Sequence, residues 1–98
     1  MQRLRRQVVL KVFGACFTEV STVNMDMLMR NFQYQYHPRC LEGSLTEKQC
    51  VADLEEGICL ERSGAPRIED LMDYCALIGY RLSEDQFNYC ITNAFPSL

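Results

Sequence analysis

The stretch Cys59-Leu60-Glu61-Arg62-Ser63-Gly64-Ala65-Pro66-Arg67-Ile68-Glu69-Asp70-Leu71 decides how the chain is read. A twelve-residue calcium loop needs oxygen ligands at positions 1, 3, 5, 9 and 12, a backbone carbonyl at 7 and a glycine at 6 for the sharp turn. With Gly64 at the glycine position, Cys59 opens the loop, Glu61 and Ser63 take the next two ligand places, and Asp70 closes it, with Leu71 starting an exit helix. Cys59 is a soft thiol, a poor partner for a hard cation. Asp70 is one methylene shorter than the glutamate that normally clasps the ion with both oxygens. The frame of a helix–loop–helix turn survives while its ion site is lost.

Ninety-eight residues suffice for a single domain, 1–98, with one modest core. Hydrophobic residues make up 48% and no low-complexity run interrupts them, which predicts a folded chain. Residues 1–11 carry Arg3, Arg5, Arg6 and Lys11 and no acid, hence +4; the remainder holds six basic and thirteen acidic residues, hence −7. That balance, without a basic patch interleaved with aromatics, speaks against a nucleic-acid binder.

Cys16, Cys40, Cys50, Cys59, Cys75 and Cys90 are an even number, which in a secreted chain would point to a disulfide framework. No two are closer than nine residues, and Cys50, Cys75 and Cys90 fall on apolar helical faces. Free cysteine behaves there as a small buried hydrophobe, so reduced thiols in a reducing compartment are the expectation. A structural zinc site shows paired Cys or His at short spacing, which His37 and these cysteines do not provide.

Met1-Gln2-Arg3-Leu4-Arg5-Arg6 before Val8-Val9-Leu10 has the start of a signal peptide, but Lys11 interrupts the apolar run and no small-x-small cleavage site follows. Leu4, Val8, Val9, Val12, Phe13 and Cys16 recur instead at helical spacing. Asn24 can cap a second helix with Met25, Leu28, Met29 and Phe32 on one face, fading near Tyr36 because Pro38 disfavours helix at His37. Residues 37–43 read as a linker. Ser44-Leu45-Thr46-Glu47 reads as a capping box for a third helix with Val51, Leu54 and Ile58 inward. Ile68, Leu71, Met72, Cys75 and Ile78 mark a fourth helix stopped by Gly79. Ser83-Glu84-Asp85-Gln86 caps a fifth, striped by Phe87, Cys90, Ile91, Ala94 and Phe95 and ended by Pro96. The pattern predicts an all-α chain of five helices; only residues 20–23 hint at a strand, and nothing approaches a membrane span.

His37-Pro38-Arg39-Cys40-Leu41-Glu42-Gly43-Ser44-Leu45-Thr46-Glu47-Lys48-Gln49 resembles the linker between hands in calcyphosine-like EF-hand proteins. Val12-Phe13, Ile68-Glu69-Asp70-Leu71-Met72-Asp73-Tyr74 and Ser83-Glu84-Asp85-Gln86-Phe87 resemble other helices of that family at matching spacing. The resemblance covers nearly the whole chain as a C-terminal EF-hand pair plus one helix. It implies a first hand at about 3–36, a second at about 44–79 and a last helix at 83–95. It also implies cytosolic proteins that bind calcium and protein partners.

The calcium chemistry departs from the family. Counted back from Leu28, the first loop spans residues 16–27, with Cys16, Thr18, Val20, Asn24 and Met27 at ligand positions and Ser21 in place of glycine. Started after Phe13, it offers Gly14, Cys16, Thr18, Thr22 and Met25. Neither register has a carboxylate ligand and both end in a thioether, which cannot hold a hard cation. In the register starting at Cys16, the ligand positions of the two loops include only two acids, Glu61 and Asp70.

The expectation is therefore a calcium-independent interaction module that binds no cofactor, with a weak calcium sensor using the second loop as the alternative. Val12, Phe13, Met29, Phe32, Phe87 and Ile91 are the residues that would line a groove between hands. The last helix is expected to plug that groove, leaving a partner an outer face. Met25, Met27 and Met29 could belong to a target groove, but core filling is the expectation for Met25 and Met29 and an exposed position for Met27; Arg3, Arg5 and Arg6 suit a solvated helix face. The five tyrosines, Tyr74 among them, are expected at the surface. His37 and Cys40 lack a third group to orient them, so no catalytic residue and no enzyme activity are expected. The expected partner is a protein, presenting an amphipathic helix or a cytoskeletal assembly. The family's company points to the cytoplasm, with cytoskeleton or cilium as hosts.

Overall fold

Two helix–loop–helix units and a closing helix make up the computed structural model, which describes residues 3–59 and 66–95, without the side chain of Cys59. Glu61, Ser63 and Gly64 of the second loop lie outside the described residues. The first unit is α1 (Arg3–Phe13) and α2 (Met25–Asn31). A short α3 (Pro38–Leu41) leads to the second unit, α4 (Glu47–Cys59) and α5 (Ile68–Gly79), and α6 (Glu84–Ala94) closes the domain. The described residues hold six α-helices and two 3-10 turns, with isolated bridges in place of strands, so the chain is all-α.

The loops of the two units are tied to each other. Val23 N–H donates to the Pro66 carbonyl at 2.7 Å, Ile68 N–H donates to the Ser21 carbonyl at 3.1 Å, and Thr22 and Arg67 form an antiparallel bridge. Below this seam Leu28, Leu54, Ile58, Leu71 and Met72 are fully or nearly fully buried, as the helical periodicity requires.

Helix α6 lies against α1. Phe87, Ile91, Ala94 and Phe95 are buried, and the Phe95 ring sits 4.5 Å from Phe13 and stacks at 5.1 Å on Phe32. Gly79 allows this approach, since a Cβ there would stand 2.6 Å from the Phe87 ring. Ser83 and Gln86 cap the helix reciprocally, with Gln86 N–H donating to Ser83 Oγ at 3.2 Å.

Several expectations are corrected. The segment expected as linker contains α3, because Pro38 at its first position is pre-set for a helix and His37 Nδ1 accepts the Arg39 N–H at 3.1 Å. Helix α2 stops at Asn31 rather than near Tyr36: Phe32 turns extended, and Gln33 N–H donates to the Ala94 carbonyl at 2.7 Å. The capping box of α4 is Thr46 with Gln49, whose side chain accepts the Thr46 N–H at 2.9 Å, not Ser44 with Glu47. Of residues 20–23, Thr22 and Val23 form isolated bridges, and there is no strand. Leu4, placed on the inner stripe, is exposed.

Arg5 is not on a solvated face. Its guanidinium donates to Glu84 Oε1 at 2.8 Å, to the Gly79 carbonyl at 2.6 Å and to the Leu82 carbonyl, and lies 4.7 Å from the Phe87 ring centre. It thus satisfies carbonyls at the end of α5, where a cation is favoured. The pair Arg6–Glu69 at 2.8 Å is exposed and contributes little.

A chain ending at Ser83 loses Phe87, Ile91 and Phe95, forfeiting roughly 5 kcal/mol or more of burial, comparable to the stability of a small domain. It should aggregate or unfold without a cooperative transition. A soluble monomer that melts like the full chain would show that α6 is dispensable.

Candidate functional site

The first loop folds on its own hydrogen bonds. Ser21 has φ of 62°, the left-handed conformation that a glycine usually supplies in a sharp turn. Thr18 and Thr22 hydroxyls are 2.6 Å apart, Thr22 N–H donates to Thr18 Oγ1 at 3.2 Å, and Thr18 N–H donates to the Thr22 carbonyl at 2.9 Å. Asn24 Oδ1 accepts the Met27 N–H at 3.2 Å and so caps α2. Val20 points to solvent and Cys16 is buried, with burial pushing its thiol up. The oxygens at candidate ligand positions are therefore spent on the loop and the helix cap.

In the second loop, Asp70 uses one carboxylate oxygen to accept the Arg67 N–H at 2.7 Å, capping α5. Of the other ligand positions, Cys59 belongs to α4 by its backbone, and Glu61, Ser63 and Gly64 are outside the described residues. Among the described residues no group of three or more His, Cys, Asp or Glu side chains could hold a metal ion.

The six residues assigned to an inner groove are brought together as core. Phe13, Phe87 and Ile91 are buried, and Val12, Met29 and Phe32 are half-buried against the same cluster. Met25 packs on it as well, and so does Met27, expected to be exposed but half-buried one residue before the buried Leu28. With α6 in place these side chains pack on one another, the half-buried ones at the edge of the core.

The polar feature not anticipated joins three helices, α3, α4 and α5. His37, 1% exposed, has Nε2 2.8 Å from the Tyr74 hydroxyl, which donates to Asp53 Oδ2 at 2.7 Å. Arg39 Nη1 donates to Asp53 Oδ1 at 2.8 Å. Because His37 Nδ1 accepts the Arg39 N–H, the proton of the neutral ring is on Nε2, which fixes every donor in the chain from imidazole to phenol to carboxylate. Tyr74, expected at the surface, is buried, and Gly57 makes room: a Cβ there would stand 2.5 Å from its ring.

Burial lowers the His37 pKa below its ordinary value and outweighs Asp53, whose carboxylate at 3.8 Å favours the charged ring. Burial, with Asp53 adding, pushes the Tyr74 phenol far above its ordinary range. His37 and Cys40 do not form a thiol–imidazole pair: both imidazole nitrogens are committed, one to Tyr74 and the other to the α3 cap.

On the outside, Leu41, Leu77, Tyr80 and Tyr89 are exposed and line one open cleft of about 840 Å³ between α3, α5 and α6. Arg39, Glu42, Arg81 and Asp85 stand among them, so the apolar strip is flanked by charges of both signs. No helix among the described residues is long and apolar enough to cross a membrane.

His37 is the only histidine, so its titration can be isolated. Its folded pKa is lowered, so the unfolded chain takes up the proton first. Stability is full above the ordinary value of 6.5 and falls as pH drops below it. The urea midpoint should decline from pH 7 toward pH 5, and the decline should flatten in His37→Asn, whose side-chain oxygen can accept in place of Nδ1 but which cannot charge. An equal slope in both proteins would place the titrating group elsewhere.

Comparison with protein-family models, with curated proteins and with solved structures finds no match to this chain.

Proposed function

We propose that this chain is a calcium-independent protein-interaction module built on a degenerate EF-hand pair of the calcyphosine-like kind. The observation that carries this is the first loop. Its turn residue Ser21 has the backbone of the glycine position, and its threonine hydroxyls and Asn24 bond within the loop and to the α2 cap. The pairing of Val23 with Pro66 and of Ile68 with Ser21 supports two hands joined loop to loop. In this reading no ion is needed to hold the exit helix, so the module keeps one shape.

Because α6 fills the inner groove, the partner binds outside it. The cleft of Leu41, Leu77, Tyr80 and Tyr89 suits an amphipathic helix whose apolar stripe is flanked by charges of both signs. The proposed host is a cytoplasmic assembly of the cytoskeletal or axonemal type, and the module performs no catalysis.

Calcium at about 1 mM, a level at which even weak extracellular modules bind, should leave the melting temperature and helical circular dichroism unchanged. A ligand that binds the folded state raises the melting temperature by mass action, so a shift of several degrees would establish a sensor at the second loop instead.

The partner surface has its own test. Leu77 is 57% exposed, so Leu77→Glu should shift the melting temperature by no more than about 2–4 °C, the scale of about 0.5 kcal/mol for surface changes in a domain of this size. A protein retained on the wild-type chain at high salt should be lost from this variant. Retention by both would move the contact off the cleft.

A further inference from the structure

The four-residue helix α3 carries no fully buried side chain, so little apolar packing anchors it. We propose that His37 is an acid-sensitive latch: a second proton on its ring breaks the cap of α3 and releases that helix, with one wall of the outer cleft, from α4 and α5. The helix is fixed by the buried His37 ring, joined to Tyr74, and by Arg39 Nη1 donating to Asp53 Oδ1 at 2.8 Å. The cap is the switch. Nδ1 of the neutral ring accepts the Arg39 N–H at 3.1 Å, but both nitrogens of an imidazolium are donors, so the same contact would set one N–H against another. A charged ring buried without an acceptor for Nδ1–H is costly, and moving it to water removes that cost. Nε2 donates in both states and can keep the Tyr74 hydroxyl at 2.8 Å only while the ring stays inside.

The groups around the ring set the direction. Asp53 of α4 stands 3.8 Å from Nε2 and favours the charge, but its two oxygens already accept from the Tyr74 hydroxyl and from Arg39. From α3, Arg39 acts against a charged ring and Glu42 in its favour. Tyr74 of α5 stays a neutral phenol, and the turn Tyr34–Tyr36 before His37 adds no charge. Burial outweighs Asp53, so the latched ring resists the proton, whereas the released ring in water takes it near the ordinary 6.5. Acid therefore favours release: below that value the open form gains up to about tenfold in population per pH unit, until the latched ring protonates as well. Pro38, Arg39, Leu41 and Glu42 leave with the helix, and they line the cleft between α3, α5 and α6. Any effect on a partner rests on that cleft being the partner site; the latch itself does not.

The test is amide hydrogen exchange of the full chain by NMR at about pH 7.5 and about pH 5.5, each rate divided by that of an unstructured peptide at the same pH. The reporting amides are Cys40 and Leu41, which donate to the His37 carbonyl, and Glu42, which donates to that of Pro38. Their protection should fall by up to about tenfold in acid. Low urea should not change it, because urea promotes only openings that expose much surface, as for the amides of α6. His37→Asn should abolish the acid loss. If that variant does not fold, the wild-type ring serves: its titration should run in step with the shift of the Arg39 amide. The proposal is overturned by α3 amides that keep their protection in acid, that lose it only with the urea dependence of α6, or that stay unmoved while the ring titrates. An equal loss in a folded His37→Asn chain overturns it too. A partner that Leu77→Glu fails to release strikes the cleft reading instead and leaves the latch standing.

Discussion

Packing of the α6 stripe against the first unit is the contact on which the remaining structure depends. Phe95 meets both Phe13 of α1 and Phe32 beyond α2, while Phe87 fills the space that Gly79 leaves at the end of α5. One short helix thereby touches both halves of the domain. Arg5 then adds direction to a contact that burial alone would leave free to slide. Its donors reach carbonyls of Gly79 and Leu82 while its guanidinium covers the Phe87 ring. Rings supply the larger part of the energy and Arg5 supplies the register.

A second layer of order comes from polar groups that burial forces to find partners. His37, Tyr74 and Asp53 have one arrangement of protons that satisfies all of them, because the α3 cap uses Nδ1 and leaves Nε2 as the donor. Such a chain contributes modestly to net stability when complete and is costly when one member is missing. It also explains why the linker is not slack. Arg39 reaches Asp53 from the same four-residue helix that His37 caps, so the connection between the two units is pinned to α4 and α5 at once.

The helices with strong apolar stripes were legible in the sequence, because Leu71, Met72, Cys75 and Ile78, or Phe87, Cys90 and Ile91, repeat at the helical period, the second run behind the capping Ser83. Boundaries set by tertiary contacts were not. Phe32 continues the α2 pattern, yet it leaves the helix to stack on Phe95, sixty-three positions away. Tyr74 was misplaced because a tyrosine was weighed by type and not by position; three residues after Leu71, it falls on the buried face. Arg5 was misread for the same reason, since charge alone says nothing about carbonyls left open by a neighbouring helix end. Phe13, Phe87 and Ile91 could be placed in the interior from the pattern because they are apolar and periodic. The partners of His37 could not, as they come from two other helices and only the fold aligns them.

The closing helix also acts as a resident competitor. Any outside peptide aimed at the space between Phe13 and Phe32 must displace the stripe that α6 already lays there, and that stripe is tethered to the same chain through the turn at Tyr80–Leu82. If displacement costs roughly 5 kcal/mol of apolar burial, the apparent affinity of such a peptide falls by about three to four powers of ten. A peptide binding with micromolar strength to an open groove would bind this domain only at millimolar concentration or weaker. The space between Phe13 and Phe32 is therefore closed by mass action within the chain, and an outside peptide is left with the surface that α6 presents to solvent.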